Sequence, residues 1–223
     1  MQSLEAELED ARQLAVEDLA DAIESIGFEC TRCGACCTGT DEDEHTATVF
    51  PDEVRDLEAS DDYEGEYDWR DVARPMPYGL SESDDGGLEG ETFEWALQTD
   101  SCGDCTFYEE NDGVGACTAH DDRPLICQTY PFSVALAGTS QPMGDAVDEA
   151  GVVRAHECEG LGREISREDA ENLARALKTR AVRELEEAID VRDTYEPAAP
   201  DPGEVVVHDS EGAKGIDGTS LEE

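Results

Sequence analysis

The chain has 223 residues and carries 58 Asp and Glu against 15 Lys and Arg, a formal net charge of −43. That length fits one domain with appendages. The charge excludes bare nucleic acid and anionic membrane surfaces as partners, because both would repel the chain and no basic run offsets the repulsion.

Leu, Ile, Val and Phe together number 40, a share that at this charge is typical of disordered chains. Nine cysteines offer another source of stability, since metal–thiolate bonds contribute folding free energy that a small core lacks. Only Lys178 and Lys214 are lysines, and the acids run along the whole length. This pattern is expected for the solvated surface of a halophilic protein, where dense salt screens self-repulsion. No apolar run reaches the roughly 18 residues of a membrane span, and the acidic start lacks the basic region of a secretory signal. The expected compartment is therefore the cytoplasm, where clustered cysteines point to metal or redox chemistry before disulfides.

Residues 1–27 are read as an N-terminal amphipathic helix. Leu4, Leu8, Ala11, Ala15, Leu19, Ala22, Ile23 and Ile26 share a face, Ser3 can cap and Gly27 stops it. A cysteine-rich domain follows over 28–165. A short helix is expected at Pro51–Leu57, and an acidic surface insertion at about 58–91. Thr92–Gln98 alternates as a strand with Phe93, Trp95 and Leu97 on one face. Cys105–Glu109 and Val114–Thr118 flank Asn111-Asp112-Gly113, a turn suited to positive φ, and so predict a β-hairpin that draws Cys105 and Cys117 together. Phe132–Ala137 and Gly151–Ala155 read as apolar or strand segments. Residues 166–190 form a C-terminal helix opened by Ser166 and Asp169 at capping-box spacing. Pro, Gly and acids make 196–223 a disordered acidic tail. The fold class is α+β, a small metal-stabilised domain of short antiparallel strands, flanking helices and long loops.

Cys30, Cys33 and Cys36 are separated by two residues each, so one tight loop can turn three thiolates on a common centre. Bacterial ferredoxins use this spacing for three corners of a cubane cluster. A zinc ribbon needs only the first pair, with its partner pair elsewhere. Gly34 suits either, because the loop must come close to the metal. Cys37 follows Cys36 directly, and adjacent side chains of extended backbone point apart. The pair fits two metals or two corners of one polynuclear site better than a vicinal disulfide. The acids Asp41-Glu42-Asp43-Glu44 lack the alternating oxygens of an EF-hand loop and read as solvated surface.

The whole arrangement runs C-x2-C-x2-C-C, then C-T-F-Y, then A-C-T-A-H-D-D-R-P-L-I-C-Q-T-Y-P-F, then a distal Cys. It resembles the cysteine-cluster proteins of the YkgJ family over about residues 28–165, and the acidity suggests a haloarchaeal-type member. The resemblance implies a zinc- or iron-chelating protein whose ligands fall on Cys30, Cys33, Cys36, Cys37, Cys105, Cys117, Cys127 and Cys158. Eight thiolates are enough for two four-thiolate sites, with Cys102 an extra. Arg123-Pro124 and Tyr130-Pro131-Phe132 match the family's RP and YPF elements. Arg123 is the cofactor-binding candidate, since a guanidinium beside thiolates offsets charge and donates hydrogen bonds to sulfur; a salt bridge with a nearby acid is the competing role. His120 stands where the family more often has an aromatic residue, and Gln128 where it has Arg. His120 and His156 can replace a thiolate or serve in hydrogen bonding; His45 and His208 carry no stronger expectation.

No phosphate loop, nucleophile elbow, H-E-x-x-H or dinucleotide fingerprint is present. The expected cofactor is an iron–sulfur cluster or zinc. The first reading is a redox or metal-handling component working with a protein redox partner and, if an enzyme, an iron–sulfur oxidoreductase. The alternative is a zinc-stabilised interaction module whose two helices dock a partner or a second copy.

Overall fold

The structure is a computed structural model that describes residues 2–39, 45–60, 67–83, 86–136 and 146–221. It opens with α1 (Leu4–Gln13), α2 (Val16–Ile26), β1 (Thr48–Val49), α3 (Pro51–Glu58), α4 (Trp69–Val72) and β2 (Ala73–Pro75). It continues through β3 (Ser81–Glu82), β4 (Leu88–Phe93), β5 (Trp95–Leu97), β6 (Tyr108–Asn111), β7 (Val114–Cys117) and α5 (Leu125–Thr129). The last elements are β8 (Phe132–Val134), β9 (Ala146–Asp148), β10 (Val153–His156), α6 (Arg167–Thr194), β11 (Val205–Asp209) and β12 (Gly212–Lys214). This is an α+β fold of short strands with helices at both ends of the cysteine-rich region.

The chain divides into two units that cut across the division expected from sequence. The first comprises Met1–Cys36, Asn111–Gly115 and Leu125–Ala188. The second comprises Cys37–Glu110, Ala116–Pro124 and Ile189–Glu223.

In the first unit an antiparallel sheet of order β8-β10-β9 buries Phe132, Val134, Val153 and Ala155. Helices α1, α2 and α6 bury Leu8, Ala11, Leu19, Ala20, Ile23, Ala170, Leu177 and Ala181. The expected single N-terminal helix is two, because Leu14 turns extended (φ −53, ψ 126). Lys178 donates to the Leu14 carbonyl at 2.8 Å, satisfying an acceptor that the break takes out of the helical ladder. At the start of α6, Ser166 Oγ accepts from Asp169 N at 3.1 Å and bonds Asp169 Oδ2 at 2.6 Å, as the capping spacing predicts.

In the second unit two sheets, β1-β5-β2 and β12-β11-β4-β3, close over Val54, Leu57, Trp69, Val72, Trp95, Leu97, Val206 and Val207. The expected strand over 92–98 is broken at Glu94, which takes φ 68. The break hands β4 and β5 to different sheets and reverses the alternation: Trp95, Ala96 and Leu97 are all buried, while Phe93 is 45% exposed. The described parts of the supposed insertion at about 58–91, namely 58–60, 67–83 and 86–91, are structural too: Glu58 ends α3, and Trp69, Val72, Ala73 and Met76 are buried.

The expected disordered tail needs the largest correction. Residues 205–209 form β11, parallel to β4 with Val205 opposite Gly90 and Val207 opposite Thr92, and β12 returns antiparallel. Backbone pairing and burial of Val206 and Val207 outweigh the polar composition around them. Trp95 Nε1 donates to Asp209 Oδ2 at 2.8 Å. Lys214 pairs with Asp209 at 2.9 Å and Glu211 at 2.6 Å, and its ammonium lies 5.2 Å from the Trp69 ring centroid. The acidic run Asp41–Glu44 lies outside the described residues.

Candidate metal centre

Within the first unit, the base of the cysteine loop is a short antiparallel pairing between residues 27–29 and 160–162. Glu29 N donates to Gly160 O at 3.1 Å and Gly162 N to Gly27 O at 3.0 Å, around the Phe28–Leu161 bridge. This pairing needs Gly160, since a Cβ there would stand 2.3 Å from the Glu29 carbonyl oxygen. Phe28 also packs edge-on against Phe132, with centroids 5.7 Å apart, tying the loop to the Tyr-Pro-Phe element. Cys30 leaves this base directly and Cys158 precedes it by two residues. The loop between Cys30 and Cys36 is curled by two left-handed residues, Arg32 (φ 56) and Gly34 (φ 79).

Cys30, Cys33 and Cys36 are exposed, whereas Cys158 and Cys127 are half-buried. Burial pushes the Cys158 thiol above its ordinary value, and the charges of Cys33, Cys36 and Cys30 push it further, while the Gly160 N–H draws it down. That N–H donates to Cys158 Sγ at 3.4 Å. Burial first, then the charges of Cys158, Cys36 and Cys33, push Tyr130 up to about 12. Its hydroxyl donates to the Glu157 carbonyl. Cys127 rides on α5, whose Thr129 hydroxyl donates to Leu125 O at 2.7 Å and accepts from Arg180 Nη1 at 3.1 Å. His156 takes the hydrogen-bonding role: its Nε2 bonds Ser133 Oγ at 2.7 Å in the core.

The second unit holds Cys37, Cys102, Cys105 and Cys117. Cys105 N donates to Cys37 O at 2.8 Å, and Gly39 N to Asp104 Oδ1 at 2.8 Å. The predicted hairpin forms as β6–β7, turning on Asp112 (φ 53) and Gly113 (φ 77). Thr118 N, next to Cys117, donates to Phe107 O at 2.8 Å, and Tyr108 N to Cys105 O at 2.9 Å. Arg123 Nε donates to the His120 carbonyl at 2.9 Å, and His120 Nδ1 lies 3.3 Å from Asp121 Oδ1. His45 is buried, with its backbone N–H on Gly103 O, and His208 bonds Glu91 at 2.9 Å.

All nine cysteines are among the described residues and none is in a disulfide. Among the described residues, no three His, Cys, Asp or Glu side chains are gathered as a formed metal-binding group. The pairings above hold the segments that carry the thiols. The donor set fits a thiophilic cation or cluster: Cys158 is within electrostatic reach of Cys30, Cys33 and Cys36, and a bound cation would relieve the repulsion among their charged forms. Sequence reasoning missed Gly160, Arg180 and Asp100 as supports. Arg180 had a visible signal, a charged residue beside Leu177 and Ala181 on the apolar stripe; Gly160 had none, because its partner lies 131 residues away in sequence.

A family model described as "CxxCxxCC: Putative zinc- or iron-chelating domain" matches residues 29–159. The match spans more than half of the chain, and the protein belongs to this family. No curated protein and no solved structure matches the chain.

Proposed function

We propose that the protein is an electron-transfer component that holds an iron–sulfur centre on Cys30, Cys33, Cys36 and Cys158. The observation that carries this reading is that Cys158, two residues before the 27–29/160–162 pairing, feels the charges of Cys33, Cys36 and Cys30 in the loop on the other side of it. Bound there, the cluster would supply one-electron chemistry. The chain's own part is to hold and tune it. The Gly160 N–H favours charge on Cys158 sulfur, which raises a reduction potential by stabilising the more negative state. Tyr130, held well above the ordinary phenol value, stays neutral beside the thiolates and adds no further negative charge. The exposure of Cys30, Cys33 and Cys36 leaves one side open to a redox partner.

Iron and acid-labile sulfide on anaerobically purified protein in high salt, with its visible spectrum, test the reading. Matching iron and sulfide are expected, with an absorption band that bleaches on reduction and is lost in Cys33→Ser and Cys158→Ser. Zinc without sulfide in the wild type, or no metal, overturns it.

A further inference from the structure

We infer that the exposed face formed by the Cys30–Cys36 loop and the tip of the β6–β7 hairpin docks an acidic protein, one of whose carboxylates pairs with Arg32. The inference deepens the electron-transfer reading by naming the surface and chemistry of the partner. It rests on that reading only for the partner's redox character, since the surface itself follows from exposure and charge.

In a chain with 58 Asp and Glu among 223 residues, no acid occurs from Cys30 to Thr40 or from Gly113 to His120. The fold joins these two stretches, Gly115 N donating to the Arg32 carbonyl at 2.8 Å. Cys30, Arg32, Cys33, Ala35 and Cys36 are exposed, and Val114 on the hairpin tip is 49% exposed. Cysteine is ordinarily among the most buried residue types, so exposed thiols with an exposed valine make a surface of low charge on a molecule of −43. Arg32 is the cation of this face. Among the described residues its guanidinium has no hydrogen bond or ion pair, whereas the exposed Arg163 lies 4.0 Å from Glu29 and Arg167 is shared by Asp21, Glu24 and Glu171. Arg32 also takes φ 56, a left-handed position that glycine fills at lower cost, so the backbone alone gives no reason for an arginine there.

Protein interfaces are depleted of Asp, Glu and Lys at their centre and enriched in Arg, and an unpaired guanidinium is a fork that fits a carboxylate. The Gly115 bond and the pairing at the base of the loop form this face in advance, so docking has little chain to order. The sign of the partner follows from the rest of the surface. A basic protein could settle on acids anywhere along the chain; a carboxylate-bearing one is repelled by those acids and directed to the face that lacks them.

The probes are a plant-type ferredoxin, an acidic electron carrier, and cytochrome c, a basic one, each added to the full chain purified anaerobically in 2 M KCl. Screening there acts within about 3 Å, which leaves contact pairs to decide. Affinity is read by titration calorimetry and the footprint by hydrogen–deuterium exchange, with iron and sulfide measured on the same sample. Ferredoxin is expected to slow exchange in peptides covering 30–36 and 113–117. Arg32→Glu should weaken its binding at least fivefold and Arg32→Gln by less, while Arg70→Glu, at an exposed arginine of α4, changes it less than twofold.

An absence of ferredoxin binding, a footprint elsewhere, an unchanged affinity in Arg32→Glu, or protection of the same peptides by cytochrome c overturns the inference. A footprint on these peptides with the Arg32→Glu loss, in protein that lacks iron and sulfide, supports the docking face and overturns the electron-transfer reading. Protein that carries iron and sulfide but shows no footprint does the reverse.

Discussion

At the scale of single residues, Gly160 matters because it has no Cβ. An added methyl would stand 2.3 Å from the Glu29 carbonyl oxygen and 3.0 Å from the Phe28 ring, so the two paired segments would have to separate. Gly160→Ala is expected to cost about 1–3 kcal/mol, the usual range for overpacking. It should also loosen the metal that we propose for Cys30 and Cys158, although every cysteine is intact. Denaturant midpoint and chelator resistance measured together check this, and a variant equal to wild type in both would remove the pairing from any role at the site. Glu211 offers a different test. Its hydrogen bond with Arg55, aided by Lys214, holds it down at about 2, against an ordinary 4.5. The folded value is the lower one, so its stabilisation is complete above about 4.5 and fades as pH falls toward 2. The carboxylate is 42% exposed, so solvent screening limits the effect to at most ~1 kcal/mol. Urea midpoints should fall less steeply in Glu211→Gln than in wild type over that window, and parallel profiles would refute the assignment.

Among the elements, α5 is five residues long and cannot be stable alone. Arg180 in α6 steadies it: its guanidinium is 1% exposed and reaches Glu184 at 2.7 Å and the Thr129 hydroxyl at 3.1 Å. Arg180→Met should destabilise the protein by about 3 kcal/mol, as loss of one partner from a buried charged pair does, and should speed alkylation of Cys127. Unchanged Cys127 reactivity in a destabilised variant would separate α5 from Arg180. The same elements show what sequence could reveal. The β6–β7 turn and the α6 cap were legible because each depends on residues within four positions of one another. The strand at 92–98 was legible as a strand but wrong in its faces, since one positive φ at Glu94 undoes the alternation. The thiol-bearing segments were legible as motifs. Their grouping depends on pairings such as Glu29 with Gly160 and Cys37 with Cys105, which no local pattern encodes. β11 escaped because its partner β4 is remote in sequence and the Pro, Gly and acids around Val205–Val207 resemble a solvated tail.

For the whole molecule, a net charge of −43 makes self-repulsion a global term that dense salt should relieve. Screening shortens from about 10 Å at 0.1 M to about 3 Å at 1 M. The melting temperature is expected to rise by roughly 10 °C between 0.1 and 2 M KCl, equivalent to about 3 kcal/mol for a chain of this size. A flat response would mean that the acids are not acting as a repulsive surface. Among the described residues no helix is long and apolar enough to cross a membrane.

The two lysines have a consequence for reagents that acylate amines. Lys178 donates to the Leu14 carbonyl, and Lys214 is 4% exposed beneath Asp209, Glu211 and Trp69. Acylation of Lys214 must therefore wait until β12 lifts away. Its rate would report how often that closing strand opens, making a single side chain a clock for local unfolding.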